Sequence, residues 1–445
     1  MNLMILYILL AVGGAVVGAF VNWGIYNLCY EKRGSISPWN SARDSASPRT
    51  WLDYIPILGW FFLRRDDSVH GRFHWVRPML IELTTALGAV WFYQWQMASG
   101  LTSGATLAAP IAPSIRETWF TGHALLITLM LIATFIDFDE KSIPDWITIP
   151  GTLAALVLAA FYTEFRLPEV VNNQNGLGLV HKSITFHSNS AAPMPTWHHD
   201  WRGLLTVFGV VGVWVTALLP TTPYLFRFTW KAFRRYPRRC LCLVCGFIRH
   251  PQRKTKCEIR TTKRESFLPY VRLSVFVFAV ATMLAAYVFY FGNKVQWDSF
   301  FGSILGMAIG GGVVWVIRIV GGMALQQEAM GFGDVTLMAM IGAFLGWQAA
   351  LLTFAFAPFA AMFIALAQLI LIRRHDIAFG PYLCLAAMFV IVFWRSVWEW
   401  ARQTYFMWGL GIFVLAIPML VLFALMLFGI QFLKGMSAKN EGAKT

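Results

Sequence analysis

The chain has 445 residues, of which 58% are hydrophobic and 13% charged, with a net charge of +14 and a mean hydropathy of +0.59. A soluble protein of this size rarely has a core large enough to hide so much apolar surface, so composition excludes an ordinary globular domain. The basic residues sit in loops between apolar runs, which reads as a determinant of membrane orientation and not as a nucleic-acid footprint.

Apolar runs near the length of a bilayer recur from the first residues onward. No Lys or Arg precedes Lys32, so the first run lacks the basic n-region of a cleavable signal and reads as a span. Eleven spans are predicted, near 3–28, 78–97, 119–136, 146–163, 203–222, 271–292, 298–322, 335–347, 349–372, 381–399 and 408–433. The segment Gly342–Gly346 marks a turn at the end of the short eighth span. The expected fold is an all-α polytopic transmembrane helix bundle.

Loop charges orient that bundle. The loop 29–77 holds eight Lys or Arg and 223–270 holds thirteen, and the turn after the ninth span holds Arg373 and Arg374. The alternate loops 98–118, 164–201 and 293–297 hold one, two and one. The asymmetry predicts the N-terminus outside and the C-terminus inside. The loop 164–201, with Asn172-Asn173-Gln174-Asn175, reads as polar and external, and the tail after Lys434 as frayed.

Two acidic segments then stand out, because ionisable groups at membrane depth are costly and usually functional. Asp137 directly follows the run Leu125–Ile136, within Ile136-Asp137-Phe138-Asp139 and upstream of Ile143-Pro144-Asp145. Asp334 closes Met330-Gly331-Phe332-Gly333-Asp334. The topology puts both at the cytoplasmic side, although 197 residues separate them. Two carboxylates that meet can share a proton and activate water. A bland role is open to each, as a helix cap or a turn, and Asp145, one residue after Pro144, fits a cap. The glycines at 331 and 333 permit a tight turn and close backbone approach.

Five places in order resemble the prepilin peptidases, membrane aspartyl proteases that process type IV prepilins and type II secretion pseudopilins. They are Gly18-Ala19-Phe20-Val21-Asn22; Tyr54-Ile55-Pro56 with Arg77-Pro78-Met79-Leu80-Ile81-Glu82-Leu83; the segment from Ile136 to Asp145; Glu328 through Asp334 with Leu337–Ala343; and Phe379-Gly380-Pro381-Tyr382. The resemblance implies a catalytic pair, Asp137 and Asp334, supported by Asp139, Asp145, Gly331 and Gly333. It implies cleavage of a leader after a glycine at the cytoplasmic face of the bacterial inner membrane, with prepilins or pseudopilins and membrane lipid as partners. Proteolysis of this kind needs no cofactor. The family's second activity, N-methylation with S-adenosylmethionine, is an open expectation here.

The chain departs from that pattern in three places. Residues 1–163 and 293–400 read as two membrane halves, separated by an inserted region 164–292 with two extra spans and the basic loop 223–270. An even number of added spans returns Asp334 to the side of Asp137. A further span and tail occupy 401–445. The first cytoplasmic loop has no cysteine between Cys29 and Cys240, so a zinc knuckle there is not expected. Cys240, Cys242, Cys245 and Cys257 instead cluster in the basic loop, offering four thiolates for zinc with His250 as a spare ligand, or a set of free or lipidated thiols. That loop's basic residues suit anionic lipid, with docking of a partner as the alternative. His181, His187, His198 and His199 read as a solvated polar group, Cys29 and Cys384 as small apolar packing, and Arg318 as a snorkelling cation. Two other classes compete with the peptidase: a silent membrane scaffold for a pilus-like secretion machine, and a cation or proton transporter, which would carry its acids deeper within the spans.

Overall fold

The computed structural model describes residues 3–30, 36–40, 46–98, 101, 111–173, 176–183, 197–217, 267–325, 330–371 and 379–408. Its helices are α1 (Leu3–Asn27), α2 (Leu58–Phe62), α3 (Asp67–His70), α4 (Val76–Ala98), α5 (Pro113–Glu140) and α6 (Asp145–Phe161). They continue as α7 (Trp201–Ala217), α8 (Phe267–Phe291), α9 (Lys294–Leu325) and α10 (Phe332–Leu345). The last three are α11 (Trp347–Leu371), α12 (Gly380–Val392) and α13 (Trp394–Trp408). The predicted spans from 3–28 through 349–372 each fall on one of these helices, and 381–399 falls on α12 and α13 together. Most of 408–433, the cysteine cluster at 240–257 and the basic loop up to 266 lie outside the described residues.

Among the described residues, four helices are long and apolar enough to cross a membrane: Leu3–Asn27, Pro113–Glu140, Leu273–Phe291 and Lys294–Gly322. A fifth candidate is the pair α12 and α13, bent by 90°. The single straight span expected at 381–399 is therefore interrupted by a sharp bend. The reason lies in the sequence of α13. Trp394, Val397 and Trp398 are buried on one face, while Arg395 and Glu399 pair at 3.0 Å beside it. A helix with one polar face gains by lying along a surface and packing its apolar stripe. Trp394 fixes the bend by donating its indole N–H to the Pro168 carbonyl at 2.8 Å.

The expectation of an all-α chain needs one correction. The loop 164–201 contains an antiparallel hairpin, β1 (Pro168–Asn173) with β2 (Gly176–Ser183), whose register closes on Asn173 opposite Gly176.

The chain divides into two compact units. Residues 196–291 form the smaller one, in which α7 packs on α8 and Gly212 meets Phe278. The larger unit comprises 1–195 and 292–445. Within it α1 packs on α4 because Gly14 leaves room: a Cβ there would lie 2.7 Å from the Thr85 carbonyl oxygen. The core of this unit is α10, surrounded by α5, α6, α9, α11 and α12. Every residue from Asp334 through Leu345 is buried. Gly346, at φ 92°, ends α10 and donates its N–H to the Gly342 carbonyl at 2.8 Å.

A small lobe joins α1 to α4, and two polar knots hold it. Arg65 grips Asp53 through both guanidinium nitrogens, at 3.0 and 2.6 Å, and Arg49 reaches Asp66 at 3.0 Å. Burial alone would push the Asp53 carboxyl up, but the Arg65 guanidinium and the Thr50 N–H together hold it below the usual carboxylate range. The second knot is Glu82, 1% exposed on α4. Its carboxylate accepts from the Asn22 amide at 2.9 Å, the Trp60 indole at 2.7 Å and the Ile57 N–H at 2.5 Å. One buried side chain thus ties α1, α2 and α4 together.

Candidate active site

Asp137 lies in the last turn of α5 and Asp334 in the first turn of α10. Both are nearly buried, at 4% and 8% exposure, and the charge of Asp137 acts on Asp334. Two carboxylates far apart in sequence are therefore neighbours at one end of the bundle.

Local sequence explains each position. The helix α5 stops because Lys141 takes the left-handed conformation, at φ 54°, and donates its N–H to the Asp137 carbonyl at 2.9 Å. This leaves the Asp137 side chain free to face the start of α12, where Gly380 donates its N–H to Oδ2 at 3.0 Å. A Cβ at Gly380 would lie 2.6 Å from that oxygen, so a side chain at 380 would displace the carboxylate. Gly380 belongs to the site, and residue chemistry alone gave it no role. Its signal was the Phe379-Gly380-Pro381-Tyr382 string, which carries no chemistry in its side chains.

Asp334 is held differently. Gly331 is the N-cap of α10 and lies against the Asp334 carboxylate, a Cβ there falling 3.6 Å from Oδ2. Gly333 packs against Ile143 too closely to carry a Cβ, at 2.8 Å from the Ile143 Cβ. Arg318 of α9 stacks over the Phe332 ring at 5.4 Å and also acts electrostatically on Asp334. Cys384 of α12, buried with a free thiol, lies within electrostatic reach of both aspartates.

The other acidic positions sit elsewhere. Asp139 pairs with Arg77 of α4 at 2.8 and 3.0 Å, and Arg77 also covers the Phe135 ring at 4.9 Å. That pair joins α4 to α5 and leaves Asp139 engaged away from Asp334. Asp145 does not cap α6: the N-cap is Pro144, and no side chain makes the cap hydrogen bond. Asp145 is instead the first residue inside the helix, where its charge favours the positive end of the dipole.

The geometry suits proton transfer. One carboxylate in a close pair can accept a proton from water while the other donates one to a polarised carbonyl. Both are shielded from bulk water, and Asp137 is oriented by the Gly380 N–H.

Comparison with known proteins points the same way. Residues 270–366 match the type IV leader peptidase family. That stretch contains Gly331, Gly333 and Asp334 but not Asp137. The chain is similar to the prepilin leader peptidase/N-methyltransferase of Aeromonas hydrophila, at 32% identity over 107 residues, covering 23% of this chain and 35% of that protein. The protein of the same name from Klebsiella pneumoniae is 39% identical over 167 residues, covering 36% of this chain and 65% of that one. The one from Escherichia coli K12 is 33% identical over 88 residues, 19% and 39% of the two chains. The alignments to the Aeromonas proteins span about a third of those relatives' length, 35% and 36%. No solved structure matches. The resemblance read from the motifs is borne out at the level of the family.

Proposed function

We propose that this chain, carrying a type IV leader peptidase segment, is a membrane aspartic endopeptidase that removes the leader of prepilins or pseudopilins. The observation that carries the reading is the burial of Asp137 and Asp334 at one end of the bundle, their backbone segments bridged by Ile143 and Asp137 held by the Gly380 N–H. In the proposed reaction one aspartate takes a proton from water, and the water oxygen attacks the scissile carbonyl. The other aspartate, protonated, donates a hydrogen bond to the developing oxyanion and then returns its proton to the leaving amine. No acyl-enzyme forms. The pair titrates as a unit, so the two roles belong to the dyad and are not divided between residues.

The eleven-span bundle, with the N-terminus outside, the C-terminus inside and the dyad at the cytoplasmic face of the inner membrane, is part of the proposal. It is supported by the loop charges. A prepilin substrate would enter as a hydrophobic helix in the bilayer, with its leader reaching the dyad from the cytoplasm. A glycine before the cut would let the backbone approach two buried carboxylates. Methyl transfer would need S-adenosylmethionine. Methylation is therefore kept apart from the peptidase mechanism, and no step of that mechanism needs it.

The test is cleavage of a purified prepilin by the full-length protein in membranes, beside Asp137→Ala and Asp334→Ala. Cleavage by the unaltered protein and by neither variant is expected. Unchanged cleavage by both variants would remove the dyad. A well-expressed protein that cleaves no prepilin would shift weight to the scaffold or transporter classes.

A further inference from the structure

The turn between α5 and α6 reaches both halves of the site. Ile143 is 4% exposed and lies between Lys141, in the left-handed conformation, and Pro144. Its main chain packs on Gly333. A Cβ added at Gly333 would lie 2.8 Å from the Ile143 Cβ, 2.9 Å from its carbonyl oxygen and 3.1 Å from its nitrogen. Its side-chain tip packs on Gly380, where an added Cβ would lie 2.7 Å from Ile143 Cδ1. Gly333 directly precedes Asp334, and Gly380 is the donor that holds Asp137. One residue therefore touches the two backbone segments that set the two carboxylates.

We propose that Ile143 is a positioning residue, a strut wedged between Gly333 and Gly380 that fixes the separation of Asp137 and Asp334. The residue type suits the task. The proline that follows restricts Ile143 to extended backbone. Branching at its Cβ leaves few χ1 rotamers, so the Cδ1 tip is held where it meets Gly380. The two glycines follow as the surfaces on which a strut can seat. Other groups facing the pair are Arg318 from α9 and Cys384 from α12.

The consequence for activity rests on the peptidase reading, so the test uses two readouts on the full-length protein in lipid nanodiscs. The first needs no substrate: the two-step titration of the aspartate pair, followed by the infrared carboxyl band and assigned with Asp137→Asn and Asp334→Asn. The second is kcat and KM for a purified prepilin. Ile143→Ala is expected to narrow the gap between the two titration steps, because separated carboxylates couple less. It should lower kcat roughly 10- to 100-fold with little change in KM, the cost of misplacing reacting groups by about an ångström. Ile143→Leu should recover most of the rate.

A double-substitution series separates a strut from general packing. Ile143→Val removes Cδ1, so it should partly rescue Gly380→Ala. It should not rescue Gly333→Ala, whose new Cβ would strike the backbone and Cβ of residue 143. Wild-type titration and kcat in a folded Ile143→Ala protein would overturn the strut, as would equal rescue of both glycine variants. If the unaltered protein cleaves no prepilin, the peptidase reading falls, and the infrared titration still decides the strut.

Discussion

Two buried carboxylate sites in this molecule look alike by burial and differ in how they are satisfied. Glu82 accepts three hydrogen bonds, from Asn22, Trp60 and Ile57, and ties three elements together. Asp137 accepts one side-chain bond among the described residues, from Gly380, and faces a second carboxylate, Asp334. A carboxylate offers about four acceptor directions. Glu82 has spent most of them on structure, whereas the aspartates keep theirs open toward each other and toward a reactant. Burial without saturation is what sets the proposed dyad apart from Glu82.

The contrast can be broken by substitution. The largest effect should come from Asp137→Ala or Asp334→Ala, each lowering prepilin cleavage by at least ~10³-fold, in line with the loss of a positioned acid or base. Thermal unfolding in detergent should change little, because the carboxylates anchor few partners. Glu82→Ala should do the reverse. Leaving the buried Trp60 and Asn22 donors unpaired should cost about 3 kcal/mol. That variant should unfold at lower temperature while cleaving at a normal rate per folded molecule. A Glu82 variant that stays stable and loses activity would erase the distinction.

Smaller effects sharpen it. Arg77→Ala removes the pair with Asp139, whose side chains are 42% and 24% exposed. Screening by solvent limits the loss to about 1 kcal/mol or less, measurable as a small fall in the unfolding midpoint. The smallest effect near neutrality is that of Asp53. Its carboxyl is held below the usual value of 3.8, so the knot with Arg65 contributes fully above that pH. The contribution is lost as pH falls through the lowered value. Limited proteolysis of the lobe should therefore be flat from pH 8 to pH 5 and rise only below about pH 4.

Much of this was legible in the chain. Apolar run length placed the helices, and the spacing of acidic strings against those runs selected Asp137 and Asp334. What stayed hidden was backbone chemistry. The Gly380 N–H that holds Asp137 and the Ile143 contact with Gly333 depend on atoms every residue type shares, or on an absent Cβ. Neither leaves a compositional mark. The bend at Phe393 was missed because Leu, Ile, Val and Phe before it keep the hydropathy of 381–399 high while Arg395, Ser396 and Glu399 follow on one face. Asp145 was misplaced by a single residue, since the proline before it serves as the cap.

The helix that carries Asp334 spans 14 residues, about 21 Å at the rise of an α-helix, and is enclosed on every side. A bilayer cannot grip a segment it does not touch. Thickening or thinning the lipid, which tilts and shifts exposed spans, reaches Asp334 only through the shell of neighbouring helices. Cleavage should therefore vary little between nanodiscs of short-chain and long-chain lipid, because that shell insulates the aspartate from bilayer thickness.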